Sequence, residues 1–451
     1  MEAFATRKQR VMLVPLPLQG HLTPMLQLGA LLHSRGFSVI VAHTEFNSPN
    51  PENHPGFAFV SLPDGVSSAS GNMLEMIAAI NTNCREPLEK CIVELQGQVS
   101  CIIYDSLMHF VVAVAHLLSL PTIFFRPTTA VYMQSYHVVL SLQEKKIIPL
   151  LDSQLEEAVP GLHSIIRFKD LPVSVFSKIS EVLLEFVKNF SDIRSSVAVI
   201  WNSVDMLDEC GLQQLQQQYQ VPFFPIGPLH KMVASSSSSS TSLLQEDAGC
   251  VAWLDKQAPK SVLYVSLGSL ATMDDQVLVE TAWGIANSRQ PFLWAIRPSS
   301  VAGSEWIECL PEGLREVLQE RGLIVKWAPQ KEVLAHPAVG GFLSHCGWNS
   351  TLESMCEGVA MICRPFFGDQ MINARFLIHV WRVGVELENV ADRKCIEEAV
   401  RMLMVDERGK ETRRRAVEMK YELHLSSQKD GSSCRSLDDL VEFITSLALQ
   451  E

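Results

Sequence analysis

Short apolar runs separated by helix-patterned stretches repeat along the first half of the chain. Runs at 11–15, 37–42, 57–61, 99–104, 122–125, 197–201 and 223–226 are rich in Val, Ile and Phe, and most are bounded by Pro, Gly or Asp. Continuous runs of this length predict strands buried on both faces. Between them, residues 23–34, 73–94 and 107–118 carry apolar positions at helical spacing. Thr23 is placed to cap the first of these, with Pro24 at the first helical position, and Pro87 must break or restart the second. Strand–helix alternation of this kind predicts a parallel sheet covered by helices on both sides. Residues 142–195, punctuated by Pro149, Pro160 and Pro172, predict only short helices and loops.

A second alternating series begins after residue 261. Strand-like runs at 262–267, 291–296, 323–325, 339–344 and 359–363 alternate with helical stretches, one at 274–287 opened by Asp274-Asp275 in a capping role. Helical patterns at 393–404, 407–425 and 437–447 close the chain with no strands between them. The two series are separated by a polar stretch containing six consecutive serines, 235–240, which reads as a flexible linker. The predicted fold is therefore α/β, two Rossmann-like domains in tandem. The expected boundaries are a first domain over 1–230, a linker over 231–248, a second domain over 249–430 and a closing helix over 431–451.

Composition narrows the function. The chain has 451 residues, 47% of them hydrophobic, enough for sizeable cores. A formal net charge of −13 argues against a nucleic-acid backbone or an anionic membrane surface as partner. Eleven cysteines without a C-x-x-C pair read as free thiols in a reducing compartment. The apolar run near the N-terminus is interrupted by Pro15, Pro17, Gln19 and His21, and the run at 443–449 is too short, so no membrane span is expected. These features together predict a soluble cytoplasmic protein.

One stretch concentrates the chemistry: WAPQKEVLAHPAVGGFLSHCGWNSTLESMCEGVAMICRPFFGDQ, beginning at Trp327 and ending at Gln370. Two strand-like runs flank the polar knot His345-Cys346-Gly347-Trp348-Asn349-Ser350, and a helical pattern follows at 351–357. A strand, a tight Gly-bearing turn and a helix start direct backbone N–H groups and a positive helix end at an anion. Asn349 and Ser350 add short polar side chains and His345 adds a donor. Trp327 offers a flat face to a base, Glu353 can accept from a pair of ribose hydroxyls, and Asp369 and Gln370 suit the hydroxyls of an uncharged group. Base, ribose, diphosphate and sugar are the ligand parts that such a set serves.

This stretch closely resembles the donor-binding signature of plant UDP-dependent glycosyltransferases, with the HCGWNS core intact. The segments PLPLQGHLTPMLQLGALLHSRGF and CIIYDSLMHF resemble the same family's N-terminal segment and its acid-bearing segment. The resemblance runs over essentially the whole chain and is nearest the branch acting on terpenoids, cytokinins and related metabolites. It implies two facing domains of the GT-B type with donor and acceptor in the cleft between them, and a C-terminal helix returning to the first domain. It also implies roles. Trp327 would stack uracil and the Ala328 backbone pair with its edge; Gln330 and Glu353 would hold ribose. His345, Asn349, Ser350 and Ser269 would hold the diphosphate, and Trp348, Asp369 and Gln370 the sugar. Gln370 in the last position resembles glucose-using members. Arg126-Pro127 departs from the usual pattern ahead of Thr128 and Thr129, and Ala360 stands where relatives usually carry Pro.

His21 and Asp105 are the candidate catalytic pair. Both fall just beyond the ends of predicted strands, the edge where open α/β sheets bind ligands. Spacing alone leaves two readings: a solvated loop histidine with a helix-capping aspartate, or a base whose tautomer the carboxylate fixes. The resemblance favours the second, with His21 as base and Asp105 as helper acid. The implied reaction is a single displacement. An acceptor hydroxyl, deprotonated by His21, attacks the anomeric carbon of UDP-α-glucose, and a β-glucoside forms with inversion. No Asp-x-Asp occurs, so no metal is expected and UDP-glucose is a co-substrate rather than a bound cofactor.

The expected function is glucosyl transfer by a monomer from UDP-glucose to a small lipophilic plant metabolite. N-glucosylation of a cytokinin-like base and UDP-sugar isomerisation on the same scaffold remain alternatives, as does a non-catalytic sugar-nucleotide sensor. A nicotinamide oxidoreductase would need a G-x-G-x-x-G turn, and none is present. The acceptor would lie against the first domain, with Phe124, Phe125, Met133 and Phe176 as candidate lining or, equally, core packing.

Overall fold

The computed structural model describes residues 9–66, 73–95, 97–233, 242–389 and 391–447. The serine run 235–240, expected as linker, lies outside the described residues. The chain divides into two compact units. The first comprises residues 1–155, 173–243 and 426–451, the second Glu156–Pro172 and Leu244–Leu425.

The first unit is built on seven strands: β1 (Arg10–Val14), β2 (Ser38–Thr44), β3 (Phe57–Leu62), β4 (Cys101–Asp105), β5 (Thr122–Arg126), β6 (Ala198–Trp201) and β7 (Phe223–Pro225). They are ordered β3-β2-β1-β4-β5-β6-β7, with every pairing parallel. The order reverses between β1 and β4. β1 is buried at all but its first residue, and β4, β5 and β6 are buried throughout, as the unbroken apolar runs require. On one face Leu13, Val41, Ile103, Ile123 and Phe125 pack under Met25 and Leu28 of the helix Gln19–Ser34. The same core is completed by Leu437, Leu440 and Ile444 of the last helix, Ser432–Leu447.

The second unit carries six strands: β8 (Val262–Ser266), β9 (Phe292–Ala295), β10 (Gly322–Val325), β11 (Val339–Ser344), β12 (Ala360–Cys363) and β13 (Gly384–Glu386). Their order is β10-β9-β8-β11-β12-β13, again all parallel, and the reversal falls between β8 and β11.

Three local differences from the sequence reading matter. The first helix starts at Gln19, not after Thr23, because Leu18 supplies the carbonyl that Leu22 N–H bonds at 2.8 Å. His21 is thus in the first helical turn rather than in a loop. Pro24 sits inside the helix, and Thr23 does not cap it but takes a bond from Gln19 Nε2 at 2.6 Å. The helix expected from 351 starts at Trp348, with Gly347 as N-cap, so Trp348, Asn349 and Ser350 form its first turn. The segment Glu156–Pro172 interrupts the sequence of the first unit but packs with the second. It closes on itself through the bridge Ala158↔Arg167 and buries Val159, Ile166, Phe168 and Leu171.

Candidate active site

In the first unit, the strand-order reversal places the end of β1 next to the end of β4. His21, from the helix that follows β1, meets Asp105, the last residue of β4: Nδ1 lies 2.8 Å from Oδ2. The carboxylate is fully buried and the imidazole 21% exposed. The backbone N–H of Leu107 bonds Asp105 Oδ1 at 3.0 Å, which fixes the carboxylate and turns Oδ2 toward the ring. With Nδ1–H given to the carboxylate, Nε2 is the ring atom suited to accept a proton, and an imidazolium formed that way would face the Asp105 carboxylate.

In the second unit the donor-site candidates gather at the corresponding reversal, past the ends of β8 and β11. Gln330 is the hub of one cluster. Its Nε2 donates to Ser350 Oγ at 2.9 Å and to Glu353 Oε2 at 2.7 Å, while its Oε1 accepts from Tyr264 Oη at 3.3 Å. Tyr264 was not singled out by the sequence; it reads there as a strand residue, and its ring stacks on Phe342 with centroids 4.9 Å apart.

A second cluster surrounds His345. Burial drives its imidazole down to a pKa of about 4, against an opposing backbone hydrogen bond at Ser266, so the ring is neutral at physiological pH. Gly268, just before Ser269, has φ +81°, and a Cβ there would lie 2.6 Å from His345 Nε2. The turn passes so near the ring that only glycine fits.

A third cluster is set by Asn373, also unremarked in the sequence. Its Nδ2 donates to Asp369 Oδ2 and to the Cys346 carbonyl, both at 2.9 Å. The i, i+4 spacing from Asp369 on a helix was the available signal. Gln370 Oε1 accepts from the Phe366 and Phe367 N–H groups at 2.9 and 3.3 Å. Trp327 is half-buried, its carbonyl taking the Asp247 N–H at 2.9 Å, and Ala328 beside it is buried. Asn349 is half-buried in the first turn of its helix. Trp348 is only 3% exposed, its ring 6.1 Å from that of Trp381, so the indole belongs to the core of the second unit.

Several first-unit candidates are interior. Arg126 is fully buried. Its guanidinium lies over Phe190 at 4.0 Å and donates to the Phe190 carbonyl at 3.0 Å, and burial draws its pKa down to about 10. Thr129 caps the helix Ala130–Glu144 by accepting from Tyr132 N–H, and Thr128 is buried beside it. Phe124, Phe125 and Met133 are core, whereas Phe176 is half-buried. Among the described residues no group of three His, Cys, Asp or Glu side chains gathers as metal ligands would, and no helix is long and apolar enough to cross a membrane.

Two all-parallel α/β units, one with a His–Asp pair at its strand-order reversal and the other with a glycine-tight turn there, place candidate groups where open α/β sheets bind ligands. Comparison with known proteins makes this specific. Residues 33–421 match the family described as UDP-glucoronosyl and UDP-glucosyl transferase, and the chain belongs to that family: it is a UDP-glycosyltransferase of the plant type. It is 52% identical to UDP-glycosyltransferase 76E1 of Solanum lycopersicum, over 98% of this chain and 93% of that one. It is 45% identical to a flavonol 3-O-glucosyltransferase of Arabidopsis thaliana, over 98% of both. A UDP-glucose:anthocyanidin 3-O-glucosyltransferase solved in complex with UDP superposes with a TM-score of 0.82 at 28% identity, covering 97% of this chain and 99% of that one. The fold is thus that of the GT-B glycosyltransferases.

Proposed function

We propose that this enzyme transfers glucose from UDP-glucose, with inversion, to a hydroxyl of a small lipophilic plant metabolite. The observation that carries the proposal is the 2.8 Å contact between His21 Nδ1 and buried Asp105 Oδ2 at the reversal of the first sheet. His21 Nε2 takes the acceptor hydroxyl proton, the oxygen attacks the anomeric carbon, and the bond to the UDP oxygen breaks. Asp105 holds the tautomer and balances the charge on the ring.

The second unit supplies the donor platform. Trp327 stacks uracil and the Ala328 backbone pairs with its edge. Gln330 and Glu353, already joined at 2.7 Å, receive the ribose hydroxyls. Ser269, His345, Asn349 and Ser350 hold the diphosphate at the start of the helix Trp348–Glu357. Burial favours the neutral form of His345 before the donor binds, and its contribution to the departing UDP is a hydrogen bond. Asp369 and Gln370 take the hexose hydroxyls, and Trp348 backs them from the core. No metal is assigned a role. A hydroxyl acceptor agrees with the O-glucosyltransferase names borne by the Arabidopsis relative and by the anthocyanidin enzyme.

The test is His21→Ala. A positioned base contributes roughly 10²–10⁴-fold in rate, so turnover with UDP-glucose and a flavonol acceptor should fall by that factor while UDP binding, followed calorimetrically, stays unchanged. An alanine variant with near wild-type turnover would remove His21 from the mechanism.

A further inference from the structure

The segment Glu156–Pro172 has no part in the chemistry described so far, yet it carries its own network of ion pairs and hydrogen bonds. Asp170, 1% exposed, is its anchor. Asp170 Oδ2 accepts from the Arg167 backbone N–H and from Arg167 Nε, and Oδ1 from Arg167 Nη2, all at 2.9 Å. Arg167 is held from outside by Glu156 at 2.9 Å. The loop is thus a closed strap with one buried carboxylate at its centre.

That carboxylate has a second cation. Arg375 Nε lies 3.6 Å from Asp170 Oδ2 and donates to the Ile165 carbonyl at 3.0 Å. Next along the chain, Phe376 packs edge-on against His163 of the strap, centroids 5.5 Å apart. Arg375 is the last residue of the seven-residue helix Asp369–Arg375, whose first two residues are Asp369 and Gln370. The helix runs on directly into the turn Phe376–Val380, and two side chains tie it to other segments. Asn373 bonds it to the Cys346 carbonyl in the diphosphate turn, and Arg375 bonds its far end to the strap.

We propose that Asp170 is a positioning residue for sugar recognition: through Arg375 the strap fixes the angle of the helix Asp369–Arg375 and so places Asp369 and Gln370 against the hexose of UDP-glucose. The inference rests on the donor assignment made above for Asp369 and Gln370. A helix of this length is about 10 Å long, so a tilt of about 10° at one end displaces the other by about 2 Å. Misplacement of about 1 Å can cost up to 10²-fold in a reaction that depends on alignment. Removing the Asp170 charge takes away the carboxylate nearest to both Arg167 and Arg375 and leaves Glu156 and Glu386 to offset their repulsion, so the helix end loses its anchor. The uracil, ribose and diphosphate contacts are made by residues outside this helix, which reaches the diphosphate turn through the Asn373 bond to the Cys346 carbonyl, so UDP binding is expected to change little.

Asp170→Asn keeps the shape and removes the charge. Calorimetric titration of the full-length enzyme with UDP and with UDP-glucose gives the readout. The variant is expected to bind UDP within twofold of wild type and UDP-glucose about tenfold more weakly, a split that a general loss of fold does not produce. Arg375→Gln, at a more exposed position, should give the same split and carries the test if Asp170→Asn does not fold. Equal weakening of both ligands, or no weakening of either, overturns the proposal. Gln370→Ala separates it from the donor assignment: if that variant keeps the wild-type preference between UDP-glucose and UDP, the sugar role of the helix itself is wrong, whatever Asp170 does.

Discussion

A single missing methyl group at Gly268 decides how near the diphosphate turn can come to His345. Gly268→Ala must both hold φ near +81° with a side chain, which costs roughly 1–2 kcal/mol, and place a carbon 2.6 Å from the imidazole. To admit that carbon, the His345 ring or the turn must shift, and either change alters the space between them. UDP affinity should fall at least tenfold, alongside a melting temperature lower by a few degrees, and calorimetric titration with UDP below that temperature checks it; unchanged affinity would mean that the turn does not frame the diphosphate. At this scale the sequence was most readable where a residue's role depends on its neighbours in the chain. The knot from His345 to Ser350 could be read directly as strand, turn and helix start. Partners from distant segments were harder: the pairing of Asp105 with His21 was favoured over its alternative only by the family resemblance, and Tyr264, which the sheet brings to Gln330, was not singled out at all. Trp348 shows the opposite limit, since a tryptophan in a polar motif gives no sign that its ring turns inward onto Trp381.

Helices illustrate how elements complete one another. The helix Asp205–Gln218 is kinked at Asp208, where φ is −134°, and the buried carboxylate there accepts the first two N–H groups of another helix, Ala130–Glu144. Those bonds favour the ionised form, but burial outweighs them and lifts the Asp208 pKa to about 7. A carboxyl whose folded pKa lies above its unfolded value of 3.8 contributes stability that is fully present below about pH 4 and is lost as pH rises toward 7. Asp208→Asn has no such loss, so the melting temperature of the variant relative to wild type should climb between pH 4.5 and pH 7.5, as in roughly the window set by that shift. A difference independent of pH would show that Asp208 is already ionised throughout. Neither helix was anticipated, because their buried polar positions interrupt the apolar spacing on which a sequence reading relies. Strands fared better, most being found within two residues of their runs. The short edge strand β13 was missed because it is only three residues long.

For the molecule as a whole, sequence order is a poor guide to which residues share a core. Leu437, Leu440 and Ile444 stand at the far end of the chain from β1, yet they lie in the same apolar cluster as Val11 and Leu13. Leu440 is fully buried, and Leu440→Ala should cost about 2–5 kcal/mol. Denaturant unfolding of the full-length protein would show this as a lower midpoint, with the exposed neighbour Glu442→Ala as a control that changes little. If Leu440→Ala behaves like the control, the last helix does not contribute to that core. Two α/β layers in tandem were legible from the alternation of runs. The return of the last helix to the first unit was expected from the family resemblance alone, and the packing of residues 156–172 with the second unit was not expected, because nothing in the local pattern of either segment states which sheet it will cover.

The position of that last helix also sets a timetable for synthesis. The ribosome finishes β7 about 200 residues before it finishes the helix that seals the same apolar face, a delay of roughly 10–40 s at about 5–20 residues per second. Through that interval the nascent first sheet presents Phe224, Ile226 and their neighbours without their cover. The unit that is translated first is thus completed only after the second, and the growing chain offers chaperones a defined hydrophobic target until the helix Ser432–Leu447 emerges.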